Sequence, residues 1–172
     1  WGKVRCVTFS PDGKVIAAGS DDKVVRFWDR EDGKELRAIQ PDEAVIYALA
    51  FDPSGTLLAT GGFDRTVKVW KTADGSLLEK LEGHGDGVFG LQFSRDGKIL
   101  YAGGSDRKIH KWDVIQGKEA GLLEGHSAWI CGMALLPDGR LGSMGHDGEW
   151  IVWDGTTSKP ADRRTAGRFV LG

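Results

Sequence analysis

The sequence predicts an all-β fold built from four copies of one four-stranded antiparallel unit. The first observation is a repeat, because tryptophans recur at intervals of 42, 42 and 41 residues, at Trp28, Trp70, Trp112 and Trp153. A fixed period near 40 residues is typical of repeat architectures. The second observation is that short runs of alternating apolar and polar residues lie between frequent turn signals, and no run keeps a helical period for two turns.

Each copy begins with a strand and a tight turn. The predicted first strands are Val4–Phe9, Ile46–Phe51, Val88–Phe93 and Ile130–Leu135. Each is followed by a turn that ends in glycine, as in Ser10-Pro11-Asp12-Gly13. In such a turn proline presets φ, aspartate bonds to nearby backbone and glycine takes the left-handed conformation. The first strand is therefore predicted to form a hairpin with the run that follows it.

Two further strands flank a second turn in every copy. The predicted second strands are Val15–Ala18, Leu57–Thr60, Ile99–Ala102 and Leu141–Ser143. An aspartate lies six residues before each repeated tryptophan, at Asp22, Asp64, Asp106 and Asp147. The predicted third strands are Val24–Trp28, Thr66–Trp70, Lys108–Trp112 and Glu149–Trp153. A polar, glycine-containing loop then leads to a fourth, more exposed strand.

Short antiparallel units that repeat with this period predict radially packed sheets, which is a β-propeller. The chain is expected to be one propeller segment of four blades, which span about 1–42, 43–84, 85–126 and 127–172. β-Propellers typically have 4–8 blades. Three interpretations stay open: a piece of a longer propeller, two copies that pair into one ring about a two-fold axis, or a small or distorted ring.

Four phrases carry a resemblance to a known family. They are Phe9-Ser-Pro-Asp-Gly-Lys, Val25-Arg-Phe-Trp-Asp29, Leu58-Ala-Thr-Gly-Gly-Phe-Asp64 and Glu82-Gly-His84. Together they resemble the WD-repeat propeller family over essentially the whole chain. Trp1 aligns directly after the Gly-His position of this pattern, and Phe169-Val170-Leu171 fall where the first strand of a fifth blade would begin.

The resemblance implies a hydrogen-bonded network of histidine, hydroxyl, aspartate and tryptophan inside each blade. Blade 4 has all four residues, namely His126, Ser143, Asp147 and Trp153. Blade 3 has His84, Asp106 and Trp112, but Ala102 occupies the hydroxyl position. In blade 2 Pro41-Asp42 replaces Gly-His, and in blade 1 Ala18 replaces the hydroxyl. Because an unpaired buried polar group costs roughly 1–3 kcal/mol, blade 4 is expected to hold the most rigid network and blade 1 the weakest.

The resemblance also implies a partner-binding face at the loop before each first strand and the turn before each aspartate. Among the positions that map to this face, the favoured ones are Arg5, Tyr47, Phe63, Phe89, Trp129 and His146. Four aromatic side chains would then share one rim, and exposed aromatics are typical of interaction hot spots. The alternative is that some of them pack beneath the loops as core.

The predicted function is a non-enzymatic scaffold that binds a protein or peptide on one propeller face. The alternative is a regulatory or sensing segment of a larger enzyme whose catalytic part lies elsewhere. A hydrolytic triad in blade 4 is disfavoured because its aspartate recurs in every repeat. Further blades or a second copy of the chain are also expected partners.

No cofactor or metal is expected. Gly83–Gly87 precedes a strand, which excludes a dinucleotide loop, and no pair of histidines has helical ligand spacing. A net charge of −2 favours neither nucleic acid nor an anionic membrane, and no apolar run approaches the ~20 residues of a span. Cys6 and Cys131 lie in apolar stretches, where free cysteines are usually buried, and they suggest a cytoplasmic location.

Overall fold

The computed structural model describes residues 2–40, 44–155 and 157–165, and every regular element within them is a β-strand. The strands are β1 (Val4–Phe9), β2 (Val15–Ser20), β3 (Val25–Asp29), β4 (Glu35–Ile39), β5 (Ile46–Phe51), β6 (Leu57–Gly62), β7 (Thr66–Lys71), β8 (Leu77–Glu82), β9 (Val88–Phe93), β10 (Ile99–Gly104), β11 (Lys108–Asp113), β12 (Lys118–Glu124), β13 (Ile130–Leu135), β14 (Leu141–Gly145), β15 (Glu149–Trp153) and β16 (Pro160–Thr165). The predictions for Trp1, Pro41-Asp42 and Phe169–Leu171 lie outside the described residues.

Consecutive strands form four antiparallel sheets of four strands each, β1–β4, β5–β8, β9–β12 and β13–β16. These sheets are the four blades, and they confirm the predicted all-β class. Contacts between neighbouring blades join their first strands, β1 with β5, β5 with β9 and β9 with β13. The first strands are therefore innermost, and the blades pack side by side around them.

The hydrophobic core lies between the blades. Ala17, Val25 and Phe27 of blade 1 pack against Ile46 and Leu58 of blade 2. A larger cluster joins blades 2 and 3, and a third joins blades 3 and 4 around Ile130 and Trp153. Each blade is thus stabilised mainly by its neighbours.

The outer surfaces of the first and last blades have no neighbouring blade among the described residues. Val4 is 62% exposed, whereas its counterparts in the next three blades, Ile46, Val88 and Ile130, are 1%, 0% and 0% exposed. At the other end of the arc, Met133, Met144 and Trp150 help to line a shallow apolar groove of about 570 Å³. The four blades form an open arc with an apolar surface at each end.

The predicted glycine turns are present between the first and second strands of every blade. Gly13, Gly55, Gly97 and Gly139 have φ values of +70°, +73°, +72° and +88°. In blade 1, the N–H of Gly13 donates to the carbonyl of Ser10, and the N–H of Ser10 donates to Val15, both at 2.8 Å. This turn fixes the register of the hairpin.

Each first strand also contains a β-bulge at the same place. In blade 1 the pairing passes from Val4 opposite Ser20 to Cys6 opposite Gly19, so Arg5 has no partner in the register. The same shift leaves out Tyr47, Phe89 and Cys131 in the other blades. A bulge turns its extra residue out of the regular pleat. The four bulges therefore occupy one edge of the arc, close to the predicted partner-binding face.

Candidate partner-binding face and blade networks

Three kinds of local structure position the residues of the predicted face. Arg5, Tyr47 and Phe89 are bulge residues of innermost strands. Phe63 and His146 lie in the turns between second and third strands, and Trp129 directly precedes β13. In blade 4 the N–H of His146 donates to the carbonyl of Trp129 at 2.8 Å. Equivalent bonds link Asp21 to Lys3 at 3.0 Å and Ser105 to Gly87 at 2.9 Å. The backbone thus ties each of these turns to the loop beside it.

The structure brings the aromatic residues of this face together. Tyr47, Phe63 and Phe89 make three mutual edge-to-face contacts, with ring centroids 5.0, 5.4 and 5.5 Å apart. Trp129 lies 6.2 Å from Phe89, and His146 lies 5.5 Å from Trp129. Such geometries are favourable for aromatic pairs. These five side chains form a continuous ridge, called the aromatic rim below.

Arg5 extends the aromatic rim at its blade 1 end. Its guanidinium lies 5.8 Å from the ring centroid of Tyr47, within the range of a cation–π interaction. The same group forms an ion pair with Asp21 at 3.2 Å. Arg5 is therefore held in place on both sides.

The members of the rim differ in exposure. Phe63 and Trp129 are each 53% exposed, whereas Tyr47 and Phe89 are only partly exposed. Exposure thus separates Phe63 and Trp129 from Tyr47 and Phe89. Tyr47 packs against Phe63, and Phe89 packs against Trp129.

In blade 4 the structure joins the four predicted network residues in one chain of hydrogen bonds. The indole N–H of Trp153 donates to Ser143 Oγ at 2.8 Å. Ser143 Oγ lies 2.8 Å from His126 Nε2, and His126 Nδ1 lies 2.9 Å from Asp147 Oδ2. Because the carboxylate can only accept, Nδ1 carries the proton, and the serine hydroxyl donates to Nε2.

Burial and hydrogen bonding act in opposite directions on Asp147. Burial raises its pKa, but donors from Glu149, His126 and Ser127 outweigh this and hold the pKa below its usual value. Ser143 is only 3% exposed. The His-Ser-Asp set therefore lies inside the blade, where it stabilises packing.

Blade 3 holds a different arrangement. Trp112 Nε1 and both ring nitrogens of His84 are buried without a hydrogen-bond partner. His84 Nδ1 lies 3.6 Å from Asp106 Oδ2, beyond hydrogen-bond length. His110 approaches instead, with Nε2 3.0 Å from Asp106 Oδ2 and Nδ1 2.5 Å from Glu119 Oε1. The rings of His84 and His110 are 4.0 Å apart.

The two histidines have opposite pKa shifts. Burial lowers the pKa of His84. Burial also lowers the pKa of His110, but its bonds to Asp106 and Glu119 outweigh this and raise the pKa overall. Burial raises the pKa of Asp106, but the bond from His110, the nearby ring of His84 and the backbone N–H groups of Lys108 and Gly85 together more than reverse that shift.

Sequence reasoning missed the partners of the turn aspartates in the first two blades. Asp22 pairs with Arg26 at 2.9 Å, and Asp64 pairs with Lys68 at 3.3 Å. The bond from Arg26, followed by that from Ser20, lowers the pKa of Asp22. The signal was available, because a basic residue or histidine lies two residues before the repeated tryptophan at Arg26, Lys68 and His110. Blade 4 has Ile151 there, and His126 pairs with the aspartate.

The two cysteines lie in different environments. Cys6 is half-buried, and burial raises the pKa of its thiol to about 11. Cys131 is exposed, so the expectation that both cysteines are buried is wrong for this one. The reason is the bulge in β13, which takes Cys131 out of the alternating pattern.

Repeated four-stranded blades with these internal networks define a β-propeller repeat protein. The family model described as "WD domain, G-beta repeat" matches residues 1–29, 33–71, 75–113 and 117–154. The chain belongs to the WD-repeat family. Each matched segment after the first begins near the outermost strand of one blade and ends with the third strand of the next. The sequence repeat therefore links neighbouring blades covalently.

Curated relatives match over about one repeat. The general transcriptional corepressor TUP1 of Saccharomyces cerevisiae is 46% identical over 46 residues, which are 27% of this chain and 6% of the relative. Protein HIR1 of Eremothecium gossypii is 48% identical over 40 residues, 23% of this chain and 4% of the relative. A ribosome biogenesis protein BOP1 homolog of Drosophila melanogaster is 43% identical over 42 residues, which are 24% of this chain and 5% of the relative.

The matched regions thus span only a small part of these relatives. Members of the WD-repeat family generally act as non-enzymatic interaction scaffolds. Among the described residues, no helix has the length and apolar character needed to cross a membrane.

Proposed function

We propose that this chain is a scaffold that binds a protein or peptide at the aromatic rim, with Phe63 and Trp129 as the main anchors. Its partner contacts Arg5, Tyr47, Phe63, Phe89, Trp129 and His146. The proposal depends mainly on the continuity of the rim, which spans blades 2 to 4, is extended by Arg5 of blade 1 and presents two half-exposed aromatic side chains.

Physical properties of the rim support this role. Large aromatic side chains bury much apolar area at a small cost in side-chain entropy, and they are enriched among hot spots. The bulges, the edge-to-face contacts and the bond from His146 to Trp129 hold the rim in one conformation. A surface that is already ordered loses less conformational entropy on binding, so the entropic cost of binding is smaller.

Relatives support the general role. The matched relatives include a general transcriptional corepressor and a ribosome biogenesis protein. For the present chain we infer protein partners. The free thiols of Cys6 and Cys131 support a reducing compartment, and we propose the cytoplasm.

The test is a peptide-display selection against the whole chain, followed by titration of the selected peptides. Phe63→Ala and Trp129→Ala are expected to weaken binding about 30-fold or more, because hot-spot truncations cost about 2 kcal/mol or more. Their melting temperatures should stay close to that of the parent chain, since both side chains are half-exposed.

Ile115→Ala is the matched control. Ile115 is 81% exposed and lies in the β11–β12 turn, at the opposite edge of the blade. If the rim variants bind as well as the parent, or if Ile115→Ala alone reduces binding, the partner surface lies elsewhere. If the rim variants fail to fold, Phe63 and Trp129 belong to the core.

A further inference from the structure

Blade 3 differs from its neighbours in how the turn aspartate is paired. In blades 1 and 2, ion pairs link this aspartate to Arg26 and Lys68, and in blade 4 a hydrogen bond links it to His126. In blade 3, two histidines approach Asp106: His84 from the segment before β9, and His110 from β11. A cluster of two imidazoles and one carboxylate has the ligand types of a transition-metal site.

The distances between these groups suit a small cation. Asp106 Oδ2 lies 3.6 Å from His84 Nδ1 and 3.0 Å from His110 Nε2. One ligand atom from each of the three residues lies within 4.8 Å of the other two. With metal–ligand bonds of about 2.0–2.1 Å, the ligands of a tetrahedral Zn²⁺ are about 3.3–3.4 Å apart. Small side-chain adjustments would therefore bring all three ligands to one ion.

His84 provides an independent indication. Its side chain is 0% exposed, and neither ring nitrogen has a hydrogen-bond partner. A neutral imidazole always has one nitrogen lone pair, and burying it without a partner is unfavourable. A cation bound at Nδ1 would satisfy this lone pair, which no described donor does.

Glu119 supplies the supporting interaction that metal-binding histidines usually have. Its Oε1 lies 2.5 Å from His110 Nδ1, on the opposite side of the ring from Asp106. A carboxylate that accepts from Nδ1 orients the imidazole and leaves Nε2 to bind the metal. Glu119 is therefore a positioning residue.

We propose that His84, Asp106 and His110 bind one divalent transition-metal ion, with Zn²⁺ as the best fit, and that Glu119 positions His110. Oxygen-preferring ions such as Mg²⁺ and Ca²⁺ are disfavoured by the two nitrogen ligands. The ion would link the segment before β9 to the β10–β11 turn of the same blade. This clamp would replace the hydroxyl-based network that Ala102 removes from blade 3.

The competing explanation is a proton. If both nitrogens of His110 are protonated, the imidazolium bridges Asp106 and Glu119 without a metal. This explanation leaves both nitrogens of His84 without a partner. The two explanations differ in whether the folded chain takes up metal with a defined stoichiometry.

The experiment uses the whole chain after removal of metals by a chelator. Zn²⁺ is titrated by calorimetry and native mass spectrometry, and Co²⁺ by its visible d–d absorption. We expect one equivalent to bind, Co²⁺ to give visible d–d bands that saturate at one equivalent, and Zn²⁺ to raise the melting temperature. If the chain shows no saturable binding and no absorption, the proposal is wrong.

Variants locate the ion. His110→Gln is expected to abolish the one-equivalent binding, and Glu119→Gln is expected to weaken it by about 10–100-fold. Glu119 is 39% exposed, so this second variant is expected to fold even if the first does not. Glu82→Gln removes an exposed carboxylate two residues before His84 and is expected to bind Zn²⁺ as the parent does. Zn²⁺ binding that survives His110→Gln in a folded chain, or that is lost in Glu82→Gln, would overturn the assignment.

Discussion

Trp153 donates its indole N–H to Ser143 Oγ at 2.8 Å, and this bond has an equivalent in only some blades. In blade 2, Trp70 donates to Thr60 Oγ1 at 3.1 Å. In blade 3, Ala102 takes the hydroxyl position and the indole of Trp112 has no partner. The four blades therefore share one shape, while the polar groups inside them are satisfied to different degrees.

Replacement of Ser143 by alanine should destabilise the chain. The change leaves Trp153 Nε1 and His126 Nε2 buried without their shared partner. Each unsatisfied group costs about 1–3 kcal/mol, so for the two groups we expect a loss of about 2–6 kcal/mol in the free energy of unfolding. Urea denaturation measures this loss. Ser76→Ala, at an exposed turn, is the control and should change stability by less than about 0.5 kcal/mol. Equal effects of the two changes would contradict the network.

The reverse change in blade 3 should stabilise the chain. Ala102→Ser places a hydroxyl where Ser143 stands in blade 4, so the indole of Trp112 gains an acceptor. We expect a gain of about 0.5–1.5 kcal/mol in the free energy of unfolding. A double-mutant cycle with Trp112→Phe checks the cause, because the gain should vanish when the indole N–H is absent. A gain that persists in the Trp112→Phe background would refute the hydrogen-bond explanation.

Gly104→Ala should be severely destabilising. A Cβ at this position would lie 1.8 Å from the carbonyl oxygen of Gly87, and backbone atoms cannot move aside without breaking the bulge. We expect a loss of at least about 3 kcal/mol. Gly132→Ala is the matched control, since no atom lies within 4 Å of its added Cβ. Thermal and urea unfolding of both variants test the prediction. Similar stabilities of the two variants would contradict the close approach of Gly104 to the carbonyl oxygen of Gly87.

The two thiols should react at very different rates. Because the pKa of Cys6 is raised to about 11, its thiolate fraction at pH 8 is about 100-fold below that of a thiol with the reference pKa of 9.0. Cys131 is exposed and should be alkylated first. Peptide mass spectrometry after timed iodoacetamide treatment measures both rates. In denaturant the rates should become equal, and equal rates in the native chain would show that Cys6 is not protected.

The raised pKa of the Cys6 thiol also makes the stability of the chain depend on pH in the alkaline range. Its pKa is raised in the folded state, so the folded state favours the neutral thiol. The stability contribution is complete below the unfolded pKa near 9 and is lost as the pH rises towards 11. Cys6→Ser should reduce this alkaline loss of stability, and Cys131→Ser should leave it unchanged.

Most of the fold could be predicted from the repeat. The first strands predicted at Val4–Phe9 and Ile46–Phe51 are those observed, because alternation and glycine turns are local signals. The second strand of blade 1 was predicted at Val15–Ala18 but continues to Ser20, because the pairing with β1 extends beyond the alternating residues. The ends of a strand thus depend on its pairing with neighbouring strands, which a local sequence pattern does not show.

The less predictable features depend on distant contacts. The bulges at Arg5 and Tyr47 arise from pairing with second strands, and the sequence has no glycine at those positions to mark them. The approach of His84 to His110, whose ring centroids are 4.0 Å apart, requires the segment before β9 to come close to β11, which is not its neighbour in the sheet. Spacing along the chain showed only that Asp106 and His110 lie four residues apart. The family resemblance could predict which residues lie on the rim. It could not predict that His84 and His110 both approach Asp106 in blade 3.

The bulges at Arg5, Tyr47, Phe89 and Cys131 have an evolutionary consequence. Each of these residues is left out of the register, so its side chain can change without shifting the hydrogen-bond ladder on either side. An arginine, a tyrosine, a phenylalanine and a cysteine already occupy the same place in four nearly identical scaffolds. Substitutions can therefore alter this edge of the arc one blade at a time, while the strand pairing beside it is inherited intact.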